Sequence, residues 1–503
     1  MASDRDNQIE KPEKKNSLRW WILLTVIVGT FLGRLDQTIV NLALPKIISD
    51  FGITVSAAGW IATAYILANA IFVPIWGKLG DTIGRKKVYI LGFTIFIFGS
   101  VLAGLSWNLS SMIVFRVIQA IAGSADYPTA MAILAVTFRE TKERAQALGI
   151  WSSSFAAASV FGPLIGGPLI DNFGWRSVFL VNLPVGILGL LMALRFINES
   201  RSETKSVFFD WWGAVVLGGS LSSLVLVLDQ GPTWGWGSVS SIVCYFLVVI
   251  LMGIFIQIEK NVPEPIVDLK FFKIPAFVNT LGNNFIVFMG MMGAFFLIPV
   301  FAQTFLGYSA TETGYLFIPM AAALMIGAPI GGVLTGRVKS KYVIFASTLV
   351  AALGIYLLTF LDPKSTAIDI MIPLSIMAFG LGFGMAQRTN IIASVVDQHE
   401  IGIASSILAL VRNIAGAFGI AIFATILSNR TYHNVFTINS HSVLNSIQAL
   451  DISKFIALVE LKAQVDAYDY VFLIASTIIF LGAWTVLWLK IKNERIDVKV
   501  HVE

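Results

Sequence analysis

Four charged side chains lie inside otherwise apolar runs, and their types suit proton or ion handling. Arg34 and Asp36 fall within Phe31-Leu-Gly-Arg-Leu-Asp-Gln-Thr-Ile-Val-Asn-Leu-Ala-Leu-Pro45, and Arg116 and Asp126 within the run at 110–137. A charge deep in hydrocarbon costs about 2.5–3.5 kcal/mol on insertion scales, so it persists where it is paired or useful. At about 100° per helical residue, Arg34 shares a polar face with Gln37, Thr38 and Asn41, while Asp36 looks to nearly the opposite side. Arg116, Gln119, Gly123, Asp126 and Tyr127 fall on one helical stripe, which must face a partner helix or a wet cavity. By depth, two crossed pairs are open: Asp36 with Arg116, and Asp126 with Arg34. Each could be a structural ion pair, or its carboxylate could take a proton when the partner turns away, since burial favours the neutral acid and a nearby cation the ionised form. His399, His433, His441 and His501 all lie in loops or tails, so proton carriage falls to carboxylates.

These residues need helices long enough to cross a bilayer, and the composition supplies them. The chain has 503 residues, 56% hydrophobic and 13% charged, with a mean hydropathy of +0.79. That much apolar surface needs lipid as its solvent. Apolar runs of spanning length are expected near 20–48, 57–77, 88–106, 110–137, 145–169, 176–196, 211–229, 239–257, 276–304, 309–335, 342–361, 367–387, 402–428 and 470–492, fourteen in all. Of the 35 Lys and Arg, six (Lys46, Arg176, Lys364, Arg430, Lys454 and Lys462) fall in outer segments and three (Arg34, Arg116 and Arg412) within spans. The rest crowd one side, which puts both termini in the cytoplasm. Arg412 is expected to snorkel from a helix end. The net charge of +5 comes from these loops and is no nucleic-acid signal. A single cysteine, Cys244, excludes an internal disulfide, and no phosphate-cradling Gly-x-x-x-x-Gly-Lys-Ser/Thr run supports an ATP-driven pump. Nothing in the residues calls for a metal or a cofactor.

Two glycine motifs bear on movement. In Gly77-Lys-Leu-Gly-Asp-Thr-Ile-Gly-Arg-Lys-Lys87 the glycines permit a tight turn, and Asp81 beside Arg85 offers a charge latch. Gly332-Val-Leu-Thr-Gly336-Arg337 echoes it in the second half, the faint duplication expected of two related bundles. In Gly162-Pro-Leu-Ile-Gly-Gly167, small residues allow close helix approach and Pro163 is expected to bend the helix. The functional version of that packing is a pliable seal between bundles. Trp175-Arg176 reads as an interfacial anchor. The second half has no acidic residue deep in a span and offers Asn283, Asn284, Phe288, Met289, Met291, Met292, Phe295 and Phe296, side chains suited to a permissive pocket.

Taken together, Leu35–Pro45, Gly77–Lys87, Arg116 with Gln119, the Gly162–Gly167 run and Trp175–Gly186 resemble the fourteen-helix drug:proton antiporters of the major facilitator superfamily, over about 18–430. The resemblance implies an all-α integral membrane protein with two six-helix bundles and two inserted helices. Its expected division is a tail at 1–19, a first bundle at 20–196, a linker with the extra helices at 197–275, a second bundle at 276–492 with an outer loop at 429–468, and a tail at 493–503. It implies substrate or proton coupling at Asp36, proton transfer at Arg116, a conformational loop at Gly77, Asp81, Gly84 and Arg85, and a helix seam at Gly162, Pro163, Gly166 and Gly167. Ala120 and Ala158 stand where the family usually has glycine, and Arg34 and Asp126 where it is usually apolar. The function expected is proton-coupled export of amphipathic small molecules across a bacterial inner membrane by a monomer. The alternative is uptake or facilitated transport of one nutrient, cofactor or anionic metabolite, which Arg34 would suit.

Overall fold

In the computed structural model, residues 12–138, 140–200, 210–263, 265–334, 337–396, 401–441 and 449–488 are described. The first bundle is built from α1 (Pro12–Phe51), α2 (Val55–Ile83), α3 (Arg85–Gly104), α4 (Leu109–Gly123), α5 (Asp126–Thr137), α6 (Thr141–Phe173), α7 (Ser177–Leu180) and α8 (Asn182–Phe196). Then come α9 (Trp211–Trp234) and α10 (Val239–Asn261), packed on each other. The second bundle holds α11 (Pro275–Phe305), α12 (Ala310–Val333), α13 (Ser340–Leu357), α14 (Ala367–Ser394), α15 (Ile401–His441) and α16 (Ala449–Thr485). Among the described residues, 12 stretches are long and apolar enough to cross a membrane. The other two expected spans are helical too, one as α4 plus α5 and the other as α6.

Local chemistry sets the ends and breaks. Thr54 caps α2 by accepting from Ala57 N at 3.2 Å, and reciprocal capping boxes open α4 (Asn108 with Ser111) and α12 (Ser309 with Glu312). The expected continuous fourth span is broken between α4 and α5. Pro128 has no N–H to donate to the Ser124 carbonyl, so the ladder fails there. The sixth span breaks for the same reason: Pro184 cannot bond Leu180, where α7 ends. Pro163 does not break α6, which runs unbroken through both Pro163 and Pro168.

Several expectations are corrected. The first helix starts at Pro12, inside the expected tail at 1–19. The 77–87 stretch is helical to Ile83, and the turn is Gly84 alone, at φ 119°. Within the 429–468 segment, α15 runs to His441 and α16 begins at Ala449, and 442–448 lie outside the described residues; the chain has neither glycine nor proline between Gly419 and Gly482 to stop these helices. Gly336 and the 493–503 tail lie outside the described residues, as does the side chain of Asp81.

A shared apolar core crosses between the bundles, with Ile39, Leu42 and Ala58 among Phe296, Ile298 and Phe317. α9 packs on α2 and α15, while α10 turns Val239, Phe246 and Val249 outward, as lipid contact demands.

Candidate functional site

Asp36 is fully buried on α1 and anchors the densest polar network of the first bundle. Its Oδ2 accepts from Arg116 Nη1 of α4 at 2.6 Å. Its Oδ1 accepts from Gln119 Nε2 at 3.0 Å and from Asn182 Nδ2 of α8 at 2.8 Å. Arg116 also donates to Gln119 Oε1 at 2.6 Å and lies 4.0 Å over the Tyr65 ring. Asn182 reaches on to Ser100 Oγ at 2.8 Å. One carboxylate thus ties α1, α4 and α8 with three donors, one of them charged. Both members are sealed from solvent, the regime in which removing one partner is most costly. The chain break at Pro184 makes Asn182 the first residue of a new helix and points its amide inward. Sequence reasoning passed over Asn182; an amide two residues before a proline inside an apolar run was the available signal.

The members of the second crossed pair each hydrogen-bond a different neighbour. Asp126 Oδ2 accepts from Thr30 Oγ1 at 2.7 Å, and Thr30 in turn accepts from Trp151 Nε1 at 2.9 Å. Arg34 Nη1 donates to Gln37 Oε1 at 3.1 Å. The two charges remain within electrostatic reach, but the break before α5 and the pull of Thr30 hold the carboxylate on another partner. Asp126 Oδ1 has no hydrogen-bond partner among the described residues, so this carboxylate is half-satisfied where Asp36 is fully engaged.

At the basic turn, Glu199 supplies a latch that the sequence did not flag. Its carboxylate accepts from Lys86 N at 3.1 Å and Lys87 N at 3.3 Å, neutralising the opening of α3. A Cβ on Gly84 would lie 2.5 Å from that carboxylate, so a larger residue would push Glu199 aside, but the φ of 119° is what calls for glycine. Gly77 packs against Pro128, where a Cβ would lie only 3.3 Å from the ring, so the end of α2 rests closely on α5.

The glycine-proline run forms two contacts. Gly162 and Gly166 lie against Thr38 and Ile39 of α1, within the first bundle. Gly167 lies against the Thr311 backbone of α12, and Gly314 of α12 lies against the Pro163 carbonyl. Beside them, Asp171 accepts from Ala310 N at 3.0 Å, Thr311 N at 2.9 Å and Thr311 Oγ1 at 2.6 Å. Gln303 of α11 donates to the Leu42 carbonyl of α1 at 2.9 Å. These bundle-to-bundle contacts share the end where α1, α6 and α11 finish. At the same end, Trp175 and Arg176 both hold Asp50, at 2.9 and 3.1 Å, a tie between helices rather than a lipid anchor alone.

The inserted pair joins the seam through Asp229 of α9, which is buried. Trp60 Nε1 donates to it at 2.5 Å, Gln230 Nε2 at 2.6 Å, Thr425 Oγ1 at 3.5 Å, and Ser56 Oγ donates as well. Thus α9 grips α2 and α15 together.

In the second bundle, Arg388 lies inside α14, 1% exposed, and not in a cytoplasmic loop as the cation count placed it. Its Nε donates to Asn283 Oδ1 at 2.9 Å and its Nη2 to Thr348 Oγ1 at 3.0 Å. The polar run Gln387-Arg-Thr-Asn390 looks like a helix end in hydropathy, yet Ile391 and Ile392 continue the buried face. Arg412 does not snorkel outward. It turns in over the Phe288 ring at 5.1 Å, with Nε 3.5 Å from Asn284 Oδ1.

A helical pair of bundles with a buried ion pair and a glycine-lined seam has the architecture of a polytopic membrane transporter. The Major Facilitator Superfamily model matches residues 26–420, and the chain belongs to that family. It is 34% identical over 457 residues to the multidrug transporter protein MdtP of Bacillus subtilis (strain 168), covering 90% of this chain and 83% of that one. It is 29% identical over 420 residues to the riboflavin transporter RibZ of Clostridioides difficile (strain 630), covering 83% and 90%. A bacterial homologue of the human lysosomal transporter Spinster, solved inward-facing and occupied, superposes with a TM-score of 0.67 at 18% identity, covering 94% of this chain and 98% of that one. That likeness speaks to the fold.

Proposed function

We propose that this chain is a proton-coupled exporter of amphipathic small molecules in a bacterial plasma membrane, working as a monomer by alternating access. The observation that carries it is the buried Asp36–Arg116 pair, a carboxylate whose charge is held by one cation and two amides from two other helices. A proton arriving at Asp36 would release Arg116 and loosen α1 from α4 and α8, which is what coupling needs. Asp126, with one unengaged oxygen, serves as a second acceptor, and Arg34 modulates it from its electrostatic distance. The resemblance of the chain to a multidrug transporter supports export, and its resemblance to a riboflavin transporter keeps one specific solute as the second reading.

The bundles at 20–196 and 276–492, joined through 197–275, act as the two rocking bodies. Gly77, Gly84 and Arg85, with Asp81, form the hinge at the cytoplasmic face, and Gly162, Pro163, Gly166 and Gly167 form the seal. With both termini cytoplasmic, as the cation bias supports, helix alternation puts the Asp171–Thr311 seam outside, and the conformation is inward-facing. The test is flux of a lipophilic dye in proteoliposomes under an imposed pH gradient. Wild type should exchange dye against protons, while Asp36→Asn should lose gradient-driven flux by at least about tenfold, equivalent to about 1.4 kcal/mol of coupling. Gradient-independent flux in wild type would support the single-solute facilitator instead.

A further inference from the structure

The second bundle holds two cations with no anion to match them. Arg388 of α14 and Arg412 of α15 bond adjacent residues of α11, Asn283 and Asn284, and Arg388 lies within electrostatic reach of Arg412. Among the described residues, the hydrogen-bond and ring partners of both guanidinium groups are neutral: Asn283, Ser347 and Thr348 for one, Asn284 and the Phe288 ring for the other. Among the described residues, the ion pair of this bundle is Lys462 with Asp466, exposed near the start of α16. Buried charges are ordinarily paired, and two like charges brought together compound the cost.

The donors left over point to what is missing. Arg412 Nη2 and Asn284 Nδ2 are both buried without a hydrogen-bond partner among the described residues, and Asn284 is itself fully buried. Both are donors only, so water-free satisfaction requires an acceptor, and the net positive charge selects an anionic one. Asn283 is by contrast used up, with its amide on Thr348 and the Gly482 carbonyl. Arg388 is therefore backing charge, and the Arg412–Asn284 face is the open one. Tyr127 of α5 lies within electrostatic reach of both Arg412 and Arg34, so the open face looks across to the first bundle rather than to lipid. Phe288, and Met292 against Gly416, supply the apolar wall beside it.

We infer that Arg412 and Asn284, backed by Arg388, bind the anionic group of the transported molecule, a carboxylate, sulfonate or phosphate on an aromatic or aliphatic body. The inference rests on the transporter reading and gives its substrate a charge. It departs from a simple lipophilic-cation cargo, which this pair would repel.

The test is calorimetric binding to the purified full chain in nonionic detergent, with two probes of one shape and opposite charge, naphthalenesulfonate and naphthyltrimethylammonium. The sulfonate should bind at least about tenfold more tightly, the scale of one or two charged hydrogen bonds. Arg412→Gln should cost the sulfonate about ten- to a hundredfold and bind the ammonium no more weakly than wild type, since it removes a repelling charge, while Arg412→Lys keeps most of the sulfonate affinity. Should Arg412→Gln fail to fold, Asn284→Leu, expected to cost about threefold or more, replaces it. Tighter binding of the ammonium, binding of neither probe, or sulfonate affinity unmoved by these changes overturns the inference. Repeating the titration in nanodiscs with and without phosphatidylglycerol separates the sources: loss of sulfonate binding there assigns the site to a lipid headgroup and overturns the substrate role. Binding needs no proton gradient, so sulfonate binding without gradient-driven flux would sink the coupling mechanism and leave this site standing.

Discussion

At the scale of single residues, the two carboxylates of the first bundle differ in how completely they are engaged. Asp36 meets three donors, and among the described residues it is the carboxylate that pairs Arg116, so either change alone strands a charge. Asp36→Asn should lower unfolding stability by about 3–5 kcal/mol, and the double change Asp36→Leu with Arg116→Leu should restore most of it without restoring flux. Arg34 and Asp126 belong to different hydrogen-bond partners. Their double-mutant cycle, Arg34→Leu with Asp126→Leu, should couple more weakly than that of Asp36 with Arg116, since Asp126 hydrogen-bonds Thr30 and Arg34 hydrogen-bonds Gln37. Unfolding in detergent reads both cycles; equal coupling in the two would mean that Arg34 and Asp126 pair after all.

At the scale of elements, glycine positions separate by what a methyl group would meet. On Gly167 a Cβ would meet the Thr311 backbone of the facing bundle, and backbone cannot swing aside as a side chain can. Gly167→Ala should therefore cost about 1–3 kcal/mol and slow transport, since the seam can no longer close. Around Gly33 and Gly332 there is nothing within 4 Å, so alanine there should change the unfolding midpoint little or raise it slightly, by trimming unfolded-chain freedom. A Gly167→Ala protein as stable and active as Gly332→Ala would show that the α6–α12 approach is not close. The proline breaks belong here too. Asp126 and Asn182 each open a new helix two residues before a proline, Pro128 and Pro184, so each polar side chain sits at a break in the ladder.

At the scale of the whole molecule, the inter-bundle bonds gather at one end, with Asp171 holding the start of α12 and Gln303 holding α1. A transporter cycling between two openings must break and remake these bonds. On a Cys244→Ser background, the pair Asp171→Cys with Thr311→Cys should react with a short, membrane-impermeant bismaleimide added outside right-side-out vesicles, and dye flux should stop. Single-cysteine controls should keep their flux. Reaction only after permeabilisation would reverse the orientation, and a cross-linked protein that still transports would mean that this seam stays shut throughout the cycle.

The sequence by itself determined the solvent, the helix count and the polar residues worth watching, because hydropathy over twenty residues and the rarity of intramembrane charge are local properties. Asp36, Arg116 and Gln119 were legible in that way, as was the glycine-rich run of α6. Which charge meets which was not, because depth along a helix leaves open its rotation, its proline breaks and its neighbours. Only the tertiary structure joined Asp36 to Arg116 and Asp126 to Thr30, brought in Asn182 from α8 and Glu199 from beyond it, and moved Arg388 from an expected loop into a core of amides and hydroxyls. The physical reason is common to all of these. A polar side chain in an apolar helix is satisfied by whichever helix packs against it, and that choice is made by packing between segments remote in the chain.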